Sequence, residues 1–212
     1  MIYHILGKSN NMISLLIDAL YWRRDLKIEV VQNIEVDDNP PFHMGTDTLV
    51  MDSNNWDGKF NELLLGVIRV PTKKTVYGYF LSEHNIIEDD YTRLVHPDAS
   101  ISVQTEIGHG VFISSGCVVA PYVSIDNLVT LNRGVMVGHH TKIGKFSTLN
   151  PGCNIAGGST IGEYTTIGMG ANIFDGVNIG SNTVIGAGSL VTEDIPDNVV
   201  AYGIPAKVVR EI

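Results

Sequence analysis

The spacing of hydrophobic residues changes near residue 93. From Val95 to Val191 every sixth residue is aliphatic, at seventeen consecutive positions without an exception. Four residues after each of these, as far as Ile185, the side chain is small or β-branched. A six-residue period fits neither an amphipathic helix nor alternating hairpin strands. It predicts short strands joined by corners, with one large and one small side chain of each hexad pointing inward.

Such hexads are typical of a parallel β-helix, in which successive rungs hydrogen-bond about 4.8 Å apart. Three hexads form one coil of a triangular prism, so seventeen hexads form between five and six coils. Glycine often follows the aliphatic residue and tolerates the positive φ of a tight corner. Cys117 and Cys153 are two coils apart on one face, which predicts two inward thiols too distant for a disulfide.

The first ninety residues follow a different pattern. Apolar runs predict strands at 2–6, 27–31 and 63–68, and helical spacing predicts a helix over 12–24. Strand–helix–strand order implies a small parallel, Rossmann-like α/β sheet, and ligands of such sheets bind beyond the carboxyl ends of the strands. The expected division is therefore an α/β domain at 1–92 and a β-helix domain at 93–212.

A second helix and two loops complete this predicted domain. Pro71 is suited to the first turn of a helix, and we expect the apolar face of that helix to contain Tyr77, Phe80 and Leu81. Loops are predicted at 37–41 and 52–58, where prolines, glycine and short polar residues cluster. Gly7 follows the first strand and precedes the first helix, a position that can cradle phosphate, although an ordinary turn is equally compatible with these residues.

Composition and charge disfavour several classes of function. The net charge is -9 with a pI near 5.1, which disfavours nucleic acid as a partner because phosphate binding needs clustered Lys and Arg. No apolar stretch is long enough to predict a membrane span, and the N-terminus does not resemble a signal peptide, so we expect a cytoplasmic protein. Of the 22 glycines, seventeen follow residue 95, consistent with two regions built on different rules.

The hexads, His96-Pro97 at their start, and the ending Gly203–Lys207 resemble the left-handed β-helix acyltransferases. With the α/β domain in front, the chain resembles bacterial sugar acetyltransferases of the sialic acid O-acetyltransferase group (NeuD/PglD-like), which include N-acetyltransferases of nucleotide-linked 4-amino sugars. The resemblance implies a left-handed prism, a homotrimer, and acetyl-CoA bound in the groove between adjacent prisms.

The resemblance also implies site residues. The family motif places the general base at His139 and a substrate-orienting amide at Asn132. Relatives often carry an acidic residue after the base that orients its ring. This chain has His140 there, which is a candidate catalytic-site residue, either as a partner of the base or as a bystander. A second family histidine falls on Thr148. By the resemblance, the groove that holds the thioester and pantetheine of acetyl-CoA is lined by Gly157, Gly168, Met169 and Ala187. Lys207 is expected near the CoA phosphates.

In the N-terminal domain the resemblance places the nucleotide sugar at Gly7, Lys8 and Ser9, where relatives have a fuller glycine–histidine loop. Asn33 stands where relatives have an aspartate after the second strand. The sequence does not separate UDP, dTDP and GDP.

The implied chemistry is direct acyl transfer without an acyl-enzyme or a metal. His139 occupies the third position of its hexad, which predicts an outward imidazole. Such a base takes the proton of the attacking amine and contributes about 10²–10⁴ in rate. The Gly157 N–H is the expected donor to the tetrahedral oxyanion.

Three alternatives stay open at this point. The same base would serve O-acetylation of a sugar hydroxyl. A zinc site of the carbonic-anhydrase type needs three histidines, two of them in an H-x4-H pair, which the adjacent His139 and His140 do not provide. The reduced glycine loop favours the third alternative, a trimeric scaffold without catalysis.

Overall fold

The computed structural model of the chain describes residues 1–21, 27–33 and 48–212. Its first part contains a parallel sheet of four strands in the order β3-β2-β1-β4. The strands are β1 (Ile2–Leu6), β2 (Lys27–Gln32), β3 (Thr48–Asp52) and β4 (Glu62–Leu65). The expected parallel sheet is confirmed, and β3 is an additional strand at its edge.

The third predicted strand is shorter than expected. It ends at Leu65, so Val67 and Ile68 lie outside the sheet. The chain turns at Gly66, where an added Cβ would collide with the carbonyl oxygen of Gly7. This close approach of two loops is what brings the segment after β4 beside the loop after β1.

Two helices flank the sheet. Helix α1 (Asn10–Leu20) buries Met12, Ile13 and Leu16. Helix α2 (Val70–His84) has Pro71 in its first turn, as expected. Its predicted apolar face is wrong in part, because Leu81 is exposed and Tyr77 only partly buried. The buried residues of α2 are Val70, Lys73, Val76 and Phe80. The lysine breaks the apolar pattern because this side of α2 contacts backbone carbonyls.

Some expectations fall outside the described residues. These are residues 22–24 of the first predicted helix and the predicted loop at 37–41. The other predicted loop, 52–58, contains a short 3-10 helix at Ser53–Asn55, capped by the Asp52 carboxylate, which accepts the Asn54 N–H.

The second part of the chain is a triangular parallel β-helix. Its two-residue strands are β5 (Leu94–Val95), β6 (Ser100–Ile101), β7 (Glu106–Ile107), β8 (Phe112–Ile113), β9 (Val118–Val119), β10 (Ser124–Ile125), β11 (Thr130–Leu131), β12 (Met136–Val137), β13 (Lys142–Ile143), β14 (Thr148–Leu149), β15 (Asn154–Ile155), β16 (Thr160–Ile161), β17 (Thr166–Ile167), β18 (Asn172–Ile173), β19 (Asn178–Ile179), β20 (Val184–Ile185) and β21 (Leu190–Val191). A hairpin of β22 (Val199–Gly203) and β23 (Ala206–Glu211) closes the chain.

The strands form three faces, and each strand pairs in parallel with the strand eighteen residues away. The five-stranded face runs from β7 to β19, the six-stranded face from β6 to β21, and the eight-stranded face from β5 to β23. The aliphatic residue of every hexad from Ile113 to Val191 is buried, which confirms the predicted inward positions. Cys117 and Cys153 are likewise buried and free.

The two ends of the prism depart from the regular pattern. Val95 is 36% exposed because the first coil has no rung beneath it, so the expectation of an inward residue is wrong there. After Val191 the last coil is shorter, since Ile195 bridges to Ile179, sixteen residues away. Between the ends, the small inward residues are often Ser or Thr. Their hydroxyls donate to corner carbonyls, as Ser147 does to Gly162 at 2.7 Å.

The three edges of the prism differ in the residues that adopt positive φ at their corners. On the edge between β11 and β12 all of these are glycine, and we call it the glycine edge. It comprises Gly116, Gly134, Gly152, Gly170 and Gly188. The docking edge lies between β13 and β14 and carries Leu128, Phe146 and Tyr164 at these positions. The histidine edge lies between β12 and β13 and carries Tyr122 and His140 there.

The α/β domain sits against the docking edge and the eight-stranded face. Leu128 and Phe146 are buried in one core cluster with Val76 and Phe80 of α2. The Lys73 ammonium donates to the carbonyl of Leu128 at 2.9 Å and has two longer contacts with carbonyls of the next coil. These contacts fix α2 at one height along the prism.

Candidate active site

His139 lies on the histidine edge with its imidazole outside the prism, as its hexad position predicts. The ring covers Gly157 one coil above. A Cβ built on Gly157 would lie 2.6 Å from His139 Cε1 and 2.8 Å from Nε2. The absence of a side chain at residue 157 therefore makes room for the imidazole.

The backbone around Gly157 suits the expected oxyanion donor. At this edge the Gly158 N–H donates to the His139 carbonyl, and the Gly157 carbonyl accepts the Gly176 N–H. The Gly157 N–H takes part in none of the backbone hydrogen bonds between these described corners. A donor of this kind beside the imidazole is what acyl transfer requires.

His140 touches His139 directly. The two Nδ1 atoms are 3.1 Å apart, and the rings meet edge to face with centroids 5.2 Å apart. One coil below, the Tyr122 ring lies against His140, with centroids 4.9 Å apart and an angle of 34°. The phenol oxygen of Tyr122 accepts from Gln104 Nε2 at 2.9 Å.

Four other predicted site residues lie on a different edge. Asn132, Gly168, Met169 and Ala187 are at corners of the glycine edge. The Asn132 side chain is buried and its Oδ1 accepts the Arg133 N–H, so it also serves as a corner residue. Met169 is 59% exposed on the edge.

A cavity of about 520 Å³ separates the glycine edge from the α/β domain. Asn132 and Met169 line it on the prism side, and residues of α1 line it on the other. Its full lining is Asn11, Ser14, Leu15, Ile68, Asn132, Arg133, Asn150, Pro151 and Met169. The predicted amide and an expected groove residue thus share one space with the N-terminal domain.

The predicted nucleotide loop lines an adjoining cavity of about 250 Å³. Lys8 and Ser9 lie on one side of it, and Arg69 and Thr72 on the other. Gly7 adopts φ +81 and packs its Cα against Val76, so its role in the structure is a tight turn. Asn33 follows β2 at the same end of the sheet and is not among the lining residues.

Two further positions of the family pattern have structural partners here. Thr148 is buried, and its hydroxyl donates to the Ile68 carbonyl at 2.9 Å, which ties the prism to the loop after β4. Lys207 lies in the C-terminal hairpin, where its ammonium is 3.1 Å from the Glu193 carboxylate. Both side chains of that ion pair are exposed, so solvent screens it.

The expected site residues are not all brought together within one chain. His139, His140 and Gly157 lie on the histidine edge, whereas Asn132, Gly168, Met169 and Ala187 lie on the glycine edge. The six-stranded face lies between the two edges. A single chain therefore presents two halves of the predicted site.

Sequence reasoning missed several polar residues of the cavities, among them Arg133, Asn150 and Arg69. Arg133 follows Asn132 directly, and Asn150 occupies the same corner position one coil above Asn132. Both were visible from the hexad count. Arg69 had no such signal, because it reaches the cavity only through the turn at Gly66.

A further cavity of about 530 Å³ is an open groove along the five-stranded face, and none of the expected site residues line it. Within residues 1–21, 27–33 and 48–212, no three His, Cys, Asp or Glu side chains lie close enough to hold a metal ion. Neither α1 nor α2, the two described α-helices, has the length and apolarity needed to cross a membrane.

Burial raises the pKa of the Cys153 thiol to about 12, which makes it a poor nucleophile.

Comparison with known proteins confirms the resemblance and the left-handed β-helix. A family model described as bacterial transferase hexapeptide (six repeats) matches residues 140–175. No curated protein sequence matches the chain.

Several solved structures share the fold over nearly the whole chain. One is GDP-perosamine N-acetyltransferase (PerB) of Caulobacter crescentus in complex with CoA and GDP-perosamine, at 25% identity and TM-score 0.79 over 99% of this chain and 97% of that one. Another is the acetyltransferase domain of PglB from Neisseria gonorrhoeae with acetyl coenzyme A, at 22% identity and TM-score 0.79 over 98% of each chain. WeeI of Acinetobacter baumannii has 18% identity and TM-score 0.71 over 99% of each.

Proposed function

We propose that the protein is an acetyl-CoA-dependent N-acetyltransferase of a nucleotide-linked amino sugar. The observation that carries this function is the likeness to the Caulobacter enzyme, which extends through both the α/β domain and the prism. That enzyme was solved with CoA and a GDP-linked amino sugar, so both of its substrates are nucleotide-containing. We assign nucleotide-sugar binding to residues 1–92 and acetyl transfer to residues 93–212.

The proposed reaction takes place at the histidine edge. His139 accepts the proton of the sugar amine as its nitrogen attacks the thioester carbon of acetyl-CoA. The Gly157 N–H stabilises the oxyanion of the tetrahedral intermediate. Collapse of this intermediate releases CoA as its thiol, with the acetamido sugar as product.

We propose that the site is completed between copies of the chain in a homotrimer. The support is the separation of the two halves of the site on different edges of one prism. Packing the histidine edge of one chain against the glycine edge of the next places His139 near a neighbour's cavity. Asn132 and Arg133 in that cavity and Arg69 in the adjoining one carry amide and guanidinium groups suited to a sugar diphosphate.

The remaining cofactor roles follow from this arrangement. Acetyl-CoA would lie along the seam, in contact with Gly168, Met169 and Ala187. Lys207 would have to leave Glu193 before it could meet a CoA phosphate. Since acetyl-CoA is a metabolite of the cytoplasm, we expect the enzyme to act there.

The test is thioester release from acetyl-CoA with a panel of GDP-, UDP- and dTDP-linked amino sugars. We expect turnover with at least one of them, and mass spectrometry of the product distinguishes an amide from an ester. His139→Asn should lower kcat by about 10²–10⁴ with the trimer intact, while His109→Asn, a matched change on another edge, should leave it unaltered. Acetylation of a hydroxyl would establish the O-acetyltransferase alternative, and no turnover with any sugar would favour the scaffold.

A further inference from the structure

The His139–His140 contact has a chemical requirement. Neutral imidazole carries one N–H, and two nitrogens at 3.1 Å form a hydrogen bond only if one donates and the other accepts. If His139 Nδ1–H donates to His140 Nδ1, the lone pair of His139 is at Nε2. If the direction is reversed, the proton of His139 is at Nε2 and the base is blocked.

The surroundings hold His140 in place for this contact. It adopts φ +59, a left-handed conformation that is uncommon outside glycine and in which His, Asn and Asp are enriched. The corner above it has glycine at the same position, Gly158. Tyr122, one coil below, adopts φ +61, and its ring lies against that of His140 at a tilt of 34°.

The Nε2 side of His139 is the side that matters for the reaction. The Cβ position that Gly157 lacks would be 2.6 Å from Cε1, 2.8 Å from Nε2 and 3.0 Å from Nδ1, so the ring lies over the proposed oxyanion donor. The Nδ1 atom contacts His140. With Nδ1 engaged in this way, Nε2 is the nitrogen left to accept the amine proton.

We propose that His140 is a positioning residue that fixes the Nδ1–H tautomer of His139 through a neutral imidazole acceptor. This inference rests on the proposed function for its catalytic consequence. The amine proton passes to His139 Nε2, and the resulting imidazolium keeps its Nδ1–H bond to His140. Return of the Nε2 proton to the CoA sulfur restores the pair, so atoms and charges balance.

The contact requires an acceptor on one ring, because an N–H on each of the two facing nitrogens would leave no lone pair between them. The groups facing the pair from the described corners are the Tyr122 phenol below and the bare Gly157 above, with Asp175 one corner further. No carboxylate contacts either ring in the described part of the chain.

Three variants at residue 140 separate the role of His140 as a hydrogen-bond acceptor from its role in packing against Tyr122. His140→Phe keeps a ring against Tyr122 and removes the acceptor. We expect kcat to fall about 10–100-fold with the KM for acetyl-CoA unchanged. His140→Asn suits the left-handed corner and offers an amide oxygen, so it should recover most of the activity. His140→Asp offers a carboxylate oxygen as the acceptor and should likewise recover activity. His109→Phe is the matched control and should change none of these.

A second measurement does not depend on turnover. Nitrogen-15 NMR of the histidine rings in the intact oligomer should show His139 as the Nδ1–H tautomer in the wild type and a shift toward Nε2–H in His140→Phe. The proposal is overturned if His140→Phe keeps both the tautomer and kcat. If the wild type acetylates none of the sugars, the proposed function fails, and the tautomer shift alone then supports or overturns the pairing of the two rings.

Discussion

Replacing Lys73 by methionine removes a charge from the contact between α2 and the prism. Lys73 is 1% exposed, and burial lowers its pKa from 10.5 to about 7. The unfolded chain therefore binds the proton up to about pH 10.5, while the folded chain loses it near pH 7. In the window between these values protonation favours the unfolded chain, so stability should rise with pH.

The size of the effect follows from the two pKa values. Between pH 7.5 and 9.5 the free energy of unfolding of the wild type should rise by up to about 2.5 kcal/mol. The carbonyl oxygens of Leu128, Phe146 and Ser147 accept from the ammonium, hold the charged form and reduce this rise. We therefore expect an increase of about 1–2.5 kcal/mol that Lys73→Met does not show.

The assay is urea unfolding at a fixed chain concentration, since association contributes to the stability of an oligomer. Lys74→Met is the matched control, because Lys74 is exposed and rests over the Tyr164 ring at 4.1 Å. It should keep the pH dependence of the wild type. Parallel pH curves for the wild type and Lys73→Met would refute the reasoning, because they would mean that Lys73 keeps its proton on folding.

Three further predictions concern single positions. Gly157→Ala should push the imidazole of His139 aside, since the new Cβ would lie 2.6 Å from the ring, and activity should fall at least about tenfold with circular dichroism unchanged. Gly78→Ala, where a Cβ meets nothing within 4 Å, is its control and should retain activity. Cys153 should resist a disulfide reagent at pH 8 until urea is added, because its thiol is buried; rapid labelling of native protein would contradict this. Ile167→Ala, at a fully buried inward position, should cost about 2–5 kcal/mol in urea unfolding, and a loss under 1 kcal/mol would show a loosely packed core.

The prism was predictable in detail because its period is strict. An inward residue fixed by a six-residue repeat specifies strand, corner and face together, so the position of His139 outside the prism followed from counting. The exposure of Val95 was missed because the repeat marks an inward position but does not show that no further coil covers it.

The N-terminal domain was less predictable. Strand β3 presents Leu49 and Val50 to solvent at the sheet edge, so no buried pattern marks it. Lys73 of α2 is a polar residue, so the hydrophobic pattern predicts that it is exposed. It is buried because its partners are backbone carbonyls, which no side-chain pattern shows. The same limit applies to Arg69, whose place beside the cavity depends on a backbone turn.

The cavity that forms beside part of the expected site was also outside the reach of the repeat. The hexad count assigns each residue to a corner, but the contribution of Asn132 depends on the domain packed beside it. The sequence offered His140 as a candidate partner of His139, but the contact between the two rings depends on the conformation of His140, because sequence adjacency alone does not bring two rings together.

The contact of α2 with the docking edge fixes the position of the α/β domain along the axis of the prism. Because α2 is fixed at the two consecutive coils that contain Leu128 and Phe146, the height of the cavity beside Arg69 relative to His139 is set in whole coils of about 4.8 Å. An insertion of eighteen residues between Leu128 and His139 would add one coil and keep every edge in register. An insertion of six would instead rotate all later corners by one edge, so this spacing can change only by whole coils.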